Sequence, residues 1–457
     1  MLDNKLVILC PEIVPLDNKG EEAIIKGIMD VKGLSEDNCY YQVIDHSVKS
    51  FRTRNGILVH PLKLFVSEWR TKEYGLGFST ERIYSSLCAI VRHGLNHIYP
   101  KWVHRRPKAV RKLARYIQDY KAGKTDKIPT EYQEAIKYIS NTDYIIAGHN
   151  GGLNENVCHI LLALHEIGYK YCIFGSCMKP SVKGKEQLAL YDKMFSKADV
   201  VISRNPIGFR WYESNFKYPG ILAPDPAYYM QSSNKDETSA LIHQLGLTDF
   251  FKKPVLMVTT AEPAPISLRS FDAQPNRMAK IKTHRAFLGE IVSALLKNTD
   301  YNILLLPHTI GPEKHMDDRL ISLDALHTAG IESNKNGRCY VLDADLTCRE
   351  LKGLIAEAHL LIAERVHSVI GAVGVHTPFI VMGSNKDNRI NGMLVELAGL
   401  GEYVYHLNTP TLSSFLEKFR DTLQRRDEIV KHLEKVDTLN REQLAKAASL
   451  VELPQTA

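Results

Sequence analysis

The sequence predicts two parallel α/β domains followed by a helical tail, and three observations carry that expectation. A chain of 457 residues exceeds the roughly 250 to 300 residues beyond which one hydrophobic core stops growing and the chain divides. Short continuous apolar runs alternate with longer amphipathic stretches, the rhythm of strands buried on both faces with crossover helices between them. That rhythm breaks between roughly Gln231 and Lys253, where Ser-Ser-Asn-Lys-Asp-Glu-Thr-Ser opens a polar stretch, and then restarts. The expected organisation is a first α/β domain over residues 1–235, interrupted by a basic insertion at 60–116. A linker over 236–253 with a short helix, a second α/β domain over 254–425 and a helical tail over 426–457 follow.

The elements follow in order. Leu6–Cys10 reads as a buried strand, turned by Asp17-Asn18-Lys19-Gly20 into a helix from Glu21 to about Val31. Thr142–Ala147 is the next clear strand and ends in Gly148-His149-Asn150-Gly151-Gly152; Tyr171–Phe174 and Asp199–Ser203 continue the series. After the polar stretch come Val255–Thr259, a helix from about Thr283 to Lys297, Asn302–Leu306 and Tyr340–Leu342. A helix over Glu350–Glu357, the strand Leu360–Ala363, a helix over Val366–Gly374 and the strand Phe379–Met382 complete it. From Thr411 to about Val451 the pattern is helical and charged, suited to packing back across both domains.

Composition narrows the class. With 44% hydrophobic and 24% charged residues, the chain reads as a soluble globular protein. No run approaches the roughly 18 to 20 consecutive apolar residues that span a bilayer. The opening MLDNKLVILCPEIVPLDN has acidic and polar residues where a signal peptide is basic, and its apolar stretch stops at Cys10-Pro11. The eight cysteines, at 10, 39, 88, 158, 172, 177, 339 and 348, form no C-x-x-C and no zinc pattern with histidine. A reducing, cytoplasmic setting without a structural metal is the expectation.

Charge is distributed unevenly. From Val91 to Tyr116 there are eight Lys or Arg and no Asp or Glu, with Ile98, Tyr99, Trp102 and Val103 among them. Aromatics among cations suit a peripheral contact at the inner face of a membrane, each cation near anionic headgroups contributing about 1 kcal/mol. A solvated basic helix fits the same residues. Nucleic acid is not an expected partner, because no recognition module accompanies the charge.

In doubly wound sheets, ligands bind beyond the carboxyl ends of the strands. Three strand ends carry charge. Leu360–Ala363 runs into Glu364-Arg365-Val366-His367-Ser368, placing Arg365 and His367 near a helix amino end, a setting favourable to phosphate or carboxylate. A structural Arg365 paired with Glu364 is the alternative. Val200-Val201-Ile202-Ser203 delivers Arg204, with Pro206 suited to a first helical position. If the domains face each other, Arg204 and Arg365 converge, and a guanidinium grips a carboxylate or phosphate through paired hydrogen bonds. Leu304-Leu305-Leu306-Pro307 delivers His308, a ring that fits proton transfer or a structural role. Lys386, just past Phe379–Met382, is a further cation, and Asn18 and Gly20 shape the first turn beside the cleft. No G-x-G-x-x-G in the first 150 residues, no G-x-x-x-x-G-K-[ST] and no G-x-S-x-G occurs.

In this order, Asn18-Lys19-Gly20-Glu21-Glu22-Ala23-Ile24, Thr142–Leu153, Ala198–Arg204, Ala223-Pro224-Asp225-Pro226-Ala227, Leu306-Pro307-His308 and Glu364–Ser368 through Asn385-Lys386 resemble the polysaccharide pyruvyl transferase family. The resemblance covers most of residues 1–400 apart from the insertion. Two departures stand out: Glu21 occupies a position usually held by Asp, and the Ser-x-Arg-Asp pattern is here Ser203-Arg204-Asn205. The resemblance implies two Rossmann-like domains facing a cleft, as in GT-B glycosyltransferases. It implies phosphoenolpyruvate as donor, a sugar acceptor that is a polysaccharide or its lipid-linked precursor, and a pyruvate ketal as product. It calls for no further cofactor and no metal. Arg204, Arg365, Lys386, Asn18 and Gly20 would then bind substrate, with His367 or His308 as acid. A glycosyltransferase using a nucleotide sugar is the nearest alternative, and a catalytically silent membrane adaptor a more distant one.

Overall fold

A strand order that reverses beside its own first strand organises each half of the molecule. The structure, a computed structural model, describes residues 5–45, 48–61, 105–149, 153–178, 184–261, 270–311 and 316–454. Most of the basic insertion, and with it the greater part of the 91–116 segment, lies outside the described residues. The first sheet comprises β1 (Leu6–Ile13), β2 (Cys39–Ile44), β3 (Arg52–Arg54), β4 (Ile57–His60), β5 (Tyr144–Ala147), β6 (Tyr171–Ser176), β7 (Val201–Ser203) and β8 (Ile221–Leu222). Its order is β3-β4-β2-β1-β5-β6-β7-β8, parallel except where β3 meets β4. The second comprises β9 (Val255–Thr259), β10 (Asn302–Leu305), β11 (Cys339–Val341), β12 (Ala358–Ala363), β13 (Phe379–Gly383) and β14 (Val404–His406), ordered β11-β10-β9-β12-β13-β14. The reversals fall between β1 and β5 and between β9 and β12, where a doubly wound sheet opens a crevice.

Local sequence explains the elements that shape this crevice. β1 is a central strand containing Pro11, which cannot donate to the ladder. Its register on β2 shifts between Leu9 and Ile13, an irregularity of the kind that bends a strand and re-aims side chains. Helix α1 (Lys19–Val31) starts where the Asn18 side chain accepts the Gly20 N–H at 3.1 Å, satisfying one of the orphan donors of its first turn. Its buried face is Ala23, Ile24, Ile25, Ile28 and Met29. At Gly27 the helix presses so closely on the Pro226 carbonyl that a β-carbon would lie 1.9 Å from its oxygen.

The two halves share their last long helix, α5 by the count used below (Arg426–Ser449). Helices α2 (Pro206–Asn215), α3 (Asp318–Thr328) and α4 (Val366–Val373) precede it in the chain. Ile429, Leu433 and Val436 of α5 join the core beneath the second sheet, while Leu444, Ala447 and Ala448, with Val451 beyond, join the core under the first. Lys32, just past α1, donates to the carbonyls of Ala448 at 3.1 Å and Val451 at 2.8 Å. The tail thus packs across both halves. No helix of the described residues is long and apolar enough to cross a membrane.

Leu433 and Leu444 are both fully buried. Truncating either to alanine is expected to lower unfolding stability by about 2–5 kcal/mol, measured by urea denaturation. A midpoint unchanged in both variants would show that α5 contributes nothing to either core.

Candidate functional site

The carboxyl ends of β7, β10 and β12 meet the amino end of α1. The chain before α1 is stitched to the end of β10 through an Asn18–Thr309 bridge, with Lys19 N–H donating to the His308 carbonyl and Ile310 N–H to that of Asp17, both at 3.0 Å. His367 is brought to the same place by the first turn of α4. A β-carbon on Gly20 would lie 2.3 Å from His367 Nδ1, so the absence of a side chain at residue 20 makes room for this ring. Arg204 arrives from β7, its Nη1 3.4 Å from His367 Nε2.

A third residue holds these two. Asp225 Oδ2 accepts from Arg204 Nη1 at 2.5 Å and lies 3.5 Å from His367 Nε2, while Oδ1 accepts the Ala227 N–H. Arg204 and Asp225 are both buried. Burial raises the Asp225 pKa, but the Arg204 charge and the His367 hydrogen bond outweigh it and bring the carboxyl to about 2. Arg204 also donates through Nε to Cys177 Sγ at 3.3 Å.

Arg365 has its own carboxylate, supplied by Asp318 in the first turn of α3. Arg365 Nη2 reaches Oδ1 at 2.5 Å and Nε reaches Oδ2 at 3.2 Å, with a further bond from Nε to the Thr260 carbonyl. Asp318 Oδ2 also accepts the backbone N–H of His308 and Thr309. Full burial still pushes its carboxyl up to about 6 against these favourable contacts. Glu364 is engaged elsewhere, with the His284 ring at 2.7 Å and the Ala261 N–H at 2.9 Å. Each guanidinium keeps one amino group, Nη2 of Arg204 and Nη1 of Arg365, without a hydrogen-bond partner among the described residues.

The histidines are held toward their neutral forms. Burial, then the neighbouring His367, Arg365 and Lys19, depress His308 well below the ordinary imidazole value. Burial also lowers His367, more than Asp225 raises it. Such rings suit accepting a proton better than arriving with one to give. Lys386 stands apart from this group: its side chain is mostly exposed and its Nζ is 4.0 Å from Asp272 Oδ2. The same loop instead contributes Arg389, paired with Asp387 at 2.7 Å and felt electrostatically by both Arg204 and His367. Asp318 and Arg389 are thus members of the site not anticipated from the sequence, and Asp225 belongs to a segment noted there but given no role in the site.

Beneath the first-sheet side of the cleft lies a buried polar cluster. Glu12 Oε2 accepts the N–H groups of Gly148 and His149 at 2.6 and 2.7 Å, and His149 Nδ1 is 3.2 Å from Cys10 Sγ. Tyr41 Oη closes the cluster at 2.6 Å from His149 Nε2. Ligand-type atoms of Cys10, Glu12 and His149 fall within 4.8 Å of one another. Glu12 Oε2 is already engaged by two backbone donors, and burial pushes the Cys10 thiol well above its ordinary value, so the arrangement serves to fix the turn after β5.

The cleft is braced from outside by Asp345, which accepts from Lys19 at 2.6 Å and from both amino groups of Arg54 at 2.6 and 2.8 Å. Asn205, the cap of α2, donates across the cleft to the Asn388 carbonyl at 2.9 Å.

A family model described as polysaccharide pyruvyl transferase matches residues 88–386. The chain is 23% identical over 424 residues to the amylovoran biosynthesis protein AmsJ of Erwinia amylovora, covering 90% of this chain and 91% of that protein. Among solved structures, an α,α-trehalose-phosphate synthase (UDP-forming) from Burkholderia xenovorans, in complex with glucose-6-phosphate, aligns with a TM-score of 0.51 at 11% identity. That alignment covers 97% of this chain and 100% of that one. At such identity the likeness is one of fold, the GT-B-like arrangement of two parallel α/β sheets about a cleft.

Removing Asp225 leaves a buried guanidinium without its counter-charge. Asp225→Ala is expected to destabilise the protein by about 3–5 kcal/mol, read from denaturant midpoints. An unchanged midpoint would mean that water replaces the carboxylate and that the pair is not closed to solvent.

Proposed function

The chain belongs to the polysaccharide pyruvyl transferase family, and from that premise we propose that its cleft transfers the enolpyruvyl carbons of phosphoenolpyruvate to a sugar. The acceptor is a sugar of a polysaccharide or of its lipid-linked precursor, and the product is a pyruvate ketal. One observation supports the donor above others: the open amino edges of Arg204 and Arg365 beside two neutral imidazoles. Phosphoenolpyruvate is small and carries a carboxylate and a phosphate, each able to accept from a guanidinium edge. The carboxylates behind the arginines fix their orientation, so that little reorganisation is needed as charge develops on the leaving phosphate.

The chemistry requires a proton on the methylene carbon, which leaves an oxocarbenium-like centre at C2. A sugar hydroxyl attacks C2, phosphate leaves, and a second hydroxyl closes the ketal. His367, neutral and oriented by Asp225, suits the task of taking the first hydroxyl's proton and passing it to the departing phosphate. His308 lies deeper and completes the wall of the donor site. The acceptor is read into the adjoining cavity of about 460 Å³, lined by Asp17, Lys49, Ser50, Arg52 and Gly311. Its mixture of carboxylate, hydroxyl and cationic groups suits sugar hydroxyls.

Calorimetric titration tests this reading. Phosphoenolpyruvate is expected to bind saturably to the wild type, and Arg365→Ala to weaken that binding and lower turnover about 10²- to 10³-fold. Binding of a UDP-sugar with none of phosphoenolpyruvate would reassign the cleft to nucleotide-sugar chemistry.

A further inference from the structure

We infer that Glu21 is the proton donor of the transfer, its carboxyl giving a proton to the methylene carbon of phosphoenolpyruvate; the inference rests on the donor proposed above. The reaction needs an acid at that carbon. The two imidazoles of the site are held toward their neutral forms, and a guanidinium does not give up its proton in a protein. Another group has to supply it.

Glu21 is in the right place. It occupies the first turn of α1, immediately after the glycine whose bare Cα faces the His367 ring. The residue is only half-buried, yet its Oε2 is closed off from solvent and has no hydrogen-bond partner among the described residues. Its neighbours have named partners: Glu12 Oε2 accepts two backbone N–H groups, Asp225 is paired with Arg204 and Asp318 with Arg365. Glu22 is bonded to Asn55 at 2.8 Å and lies 3.8 Å from Arg54, although burial raises its pKa and its Oε2, like Glu12 Oε1, has no hydrogen-bond partner among the described residues. A carboxyl in a charged cleft that lacks such a partner is one that keeps its proton.

The electrostatic environment agrees. Burial, then the Glu12 carboxylate on β1 and Asp45 beyond β2, raise the Glu21 pKa to about 8, against the opposing pull of Arg204 and the Asn18 side chain. Cys10, which also senses Glu21, carries no charge. The amino end of a helix favours a carboxylate by about 0.3–1 kcal/mol, too little to reverse an effect of this size. Below pH 8 the group is therefore loaded, and it is lost as an acid as pH rises through that value.

The step balances. The Glu21 O–H bond breaks and a C–H bond forms at the methylene carbon, using the π-electron pair and leaving the positive centre at C2. After the first sugar oxygen has bonded to C2, the C2–O bond to phosphate breaks with its electrons going to phosphate, which takes the proton held by His367. The second hydroxyl bonds to C2 and returns its proton to Glu21. One phosphoenolpyruvate and one diol give one ketal and one inorganic phosphate.

The test compares wild type, Glu21→Gln and Glu21→Asp, with phosphoenolpyruvate as the probe. Calorimetry at pH 7 is expected to give Kd values within about threefold of each other, since an amide and a protonated carboxyl place similar demands on a bound anion. Above pH 8 the wild-type Kd should rise as a second negative charge appears beside the ligand, while that of Glu21→Gln stays flat. With methyl hexopyranosides as acceptors, Glu21→Gln should slow formation of the ketal methyl group, followed by proton NMR, by about 10²- to 10⁴-fold. Glu21→Asp should retain a measurable rate. Superimposable pH dependences of Kd for wild type and Glu21→Gln would overturn the inference, as would turnover of Glu21→Gln within threefold of wild type. Absence of phosphoenolpyruvate binding in all three proteins is a different failure, that of the donor reading itself.

Discussion

The site depends on one carboxylate shared between a guanidinium and an imidazole from opposite sides of a cleft. Asp225 follows the last strand of the first sheet, Arg204 follows β7, and His367 lies in the first turn of α4, beyond β12 of the second sheet. A guanidinium in so dry a place is several kcal/mol less stable than in water unless it is paired at close range. That requirement obliges the Pro-Asp-Pro turn, the end of β7 and the start of α4 to come together. Once they have, the ring of His367 has one nitrogen committed to Asp225 and Arg204, and its other edge turned toward the bare Cα of Gly20. The orientation of the His367 ring and the apposition of the two halves therefore have the same cause.

The same logic is repeated at smaller scale around the cleft. Arg365 is held by Asp318, Arg389 by Asp387, and Lys19 with Arg54 by Asp345. A carboxylate behind each cation lowers the net pull on an incoming anion. In return the planar forks are fixed before the ligand arrives, and orientation fixed in advance lowers a barrier where added affinity alone does not.

How much of this was legible in the sequence follows from the range over which each feature is determined. Val255–Thr259 is a strand at the bounds its unbroken apolar run suggests, and Phe379–Met382 differs from β13 by one residue. The strand Cys39–Ile44 escaped notice because Gln42 interrupts its apolar run; that Gln is buried and answered by His60 at 2.8 Å. The strands β3, β8 and β14 are two or three residues long, too short for any periodicity. Arg204, His308, Arg365 and His367 could be found because each closes or follows an apolar strand. Their partners could not. Asp318 lies 47 positions before Arg365, whereas Glu364, the obvious neighbour, sits beside it on extended backbone where successive side chains point to opposite sides. Lys386 rather than Arg389 was named for the related reason that spacing within a turn does not reveal which residue faces inward.

The helix shared by the two halves also bears on how the protein is made. Leu444, Ala447, Ala448 and Val451 complete a core whose other members lie between Leu6 and Ala223, and Lys32 finds its acceptor 416 positions away. Contacts this remote are slow to form because a long loop must close first. During synthesis the first sheet can pair its strands, yet one flank of its core stays uncovered until α5 has left the ribosome. Domains of most multidomain proteins fold as they emerge. Here the core of the first sheet has to wait for α5, and in that interval its exposed apolar flank is where a chaperone would bind.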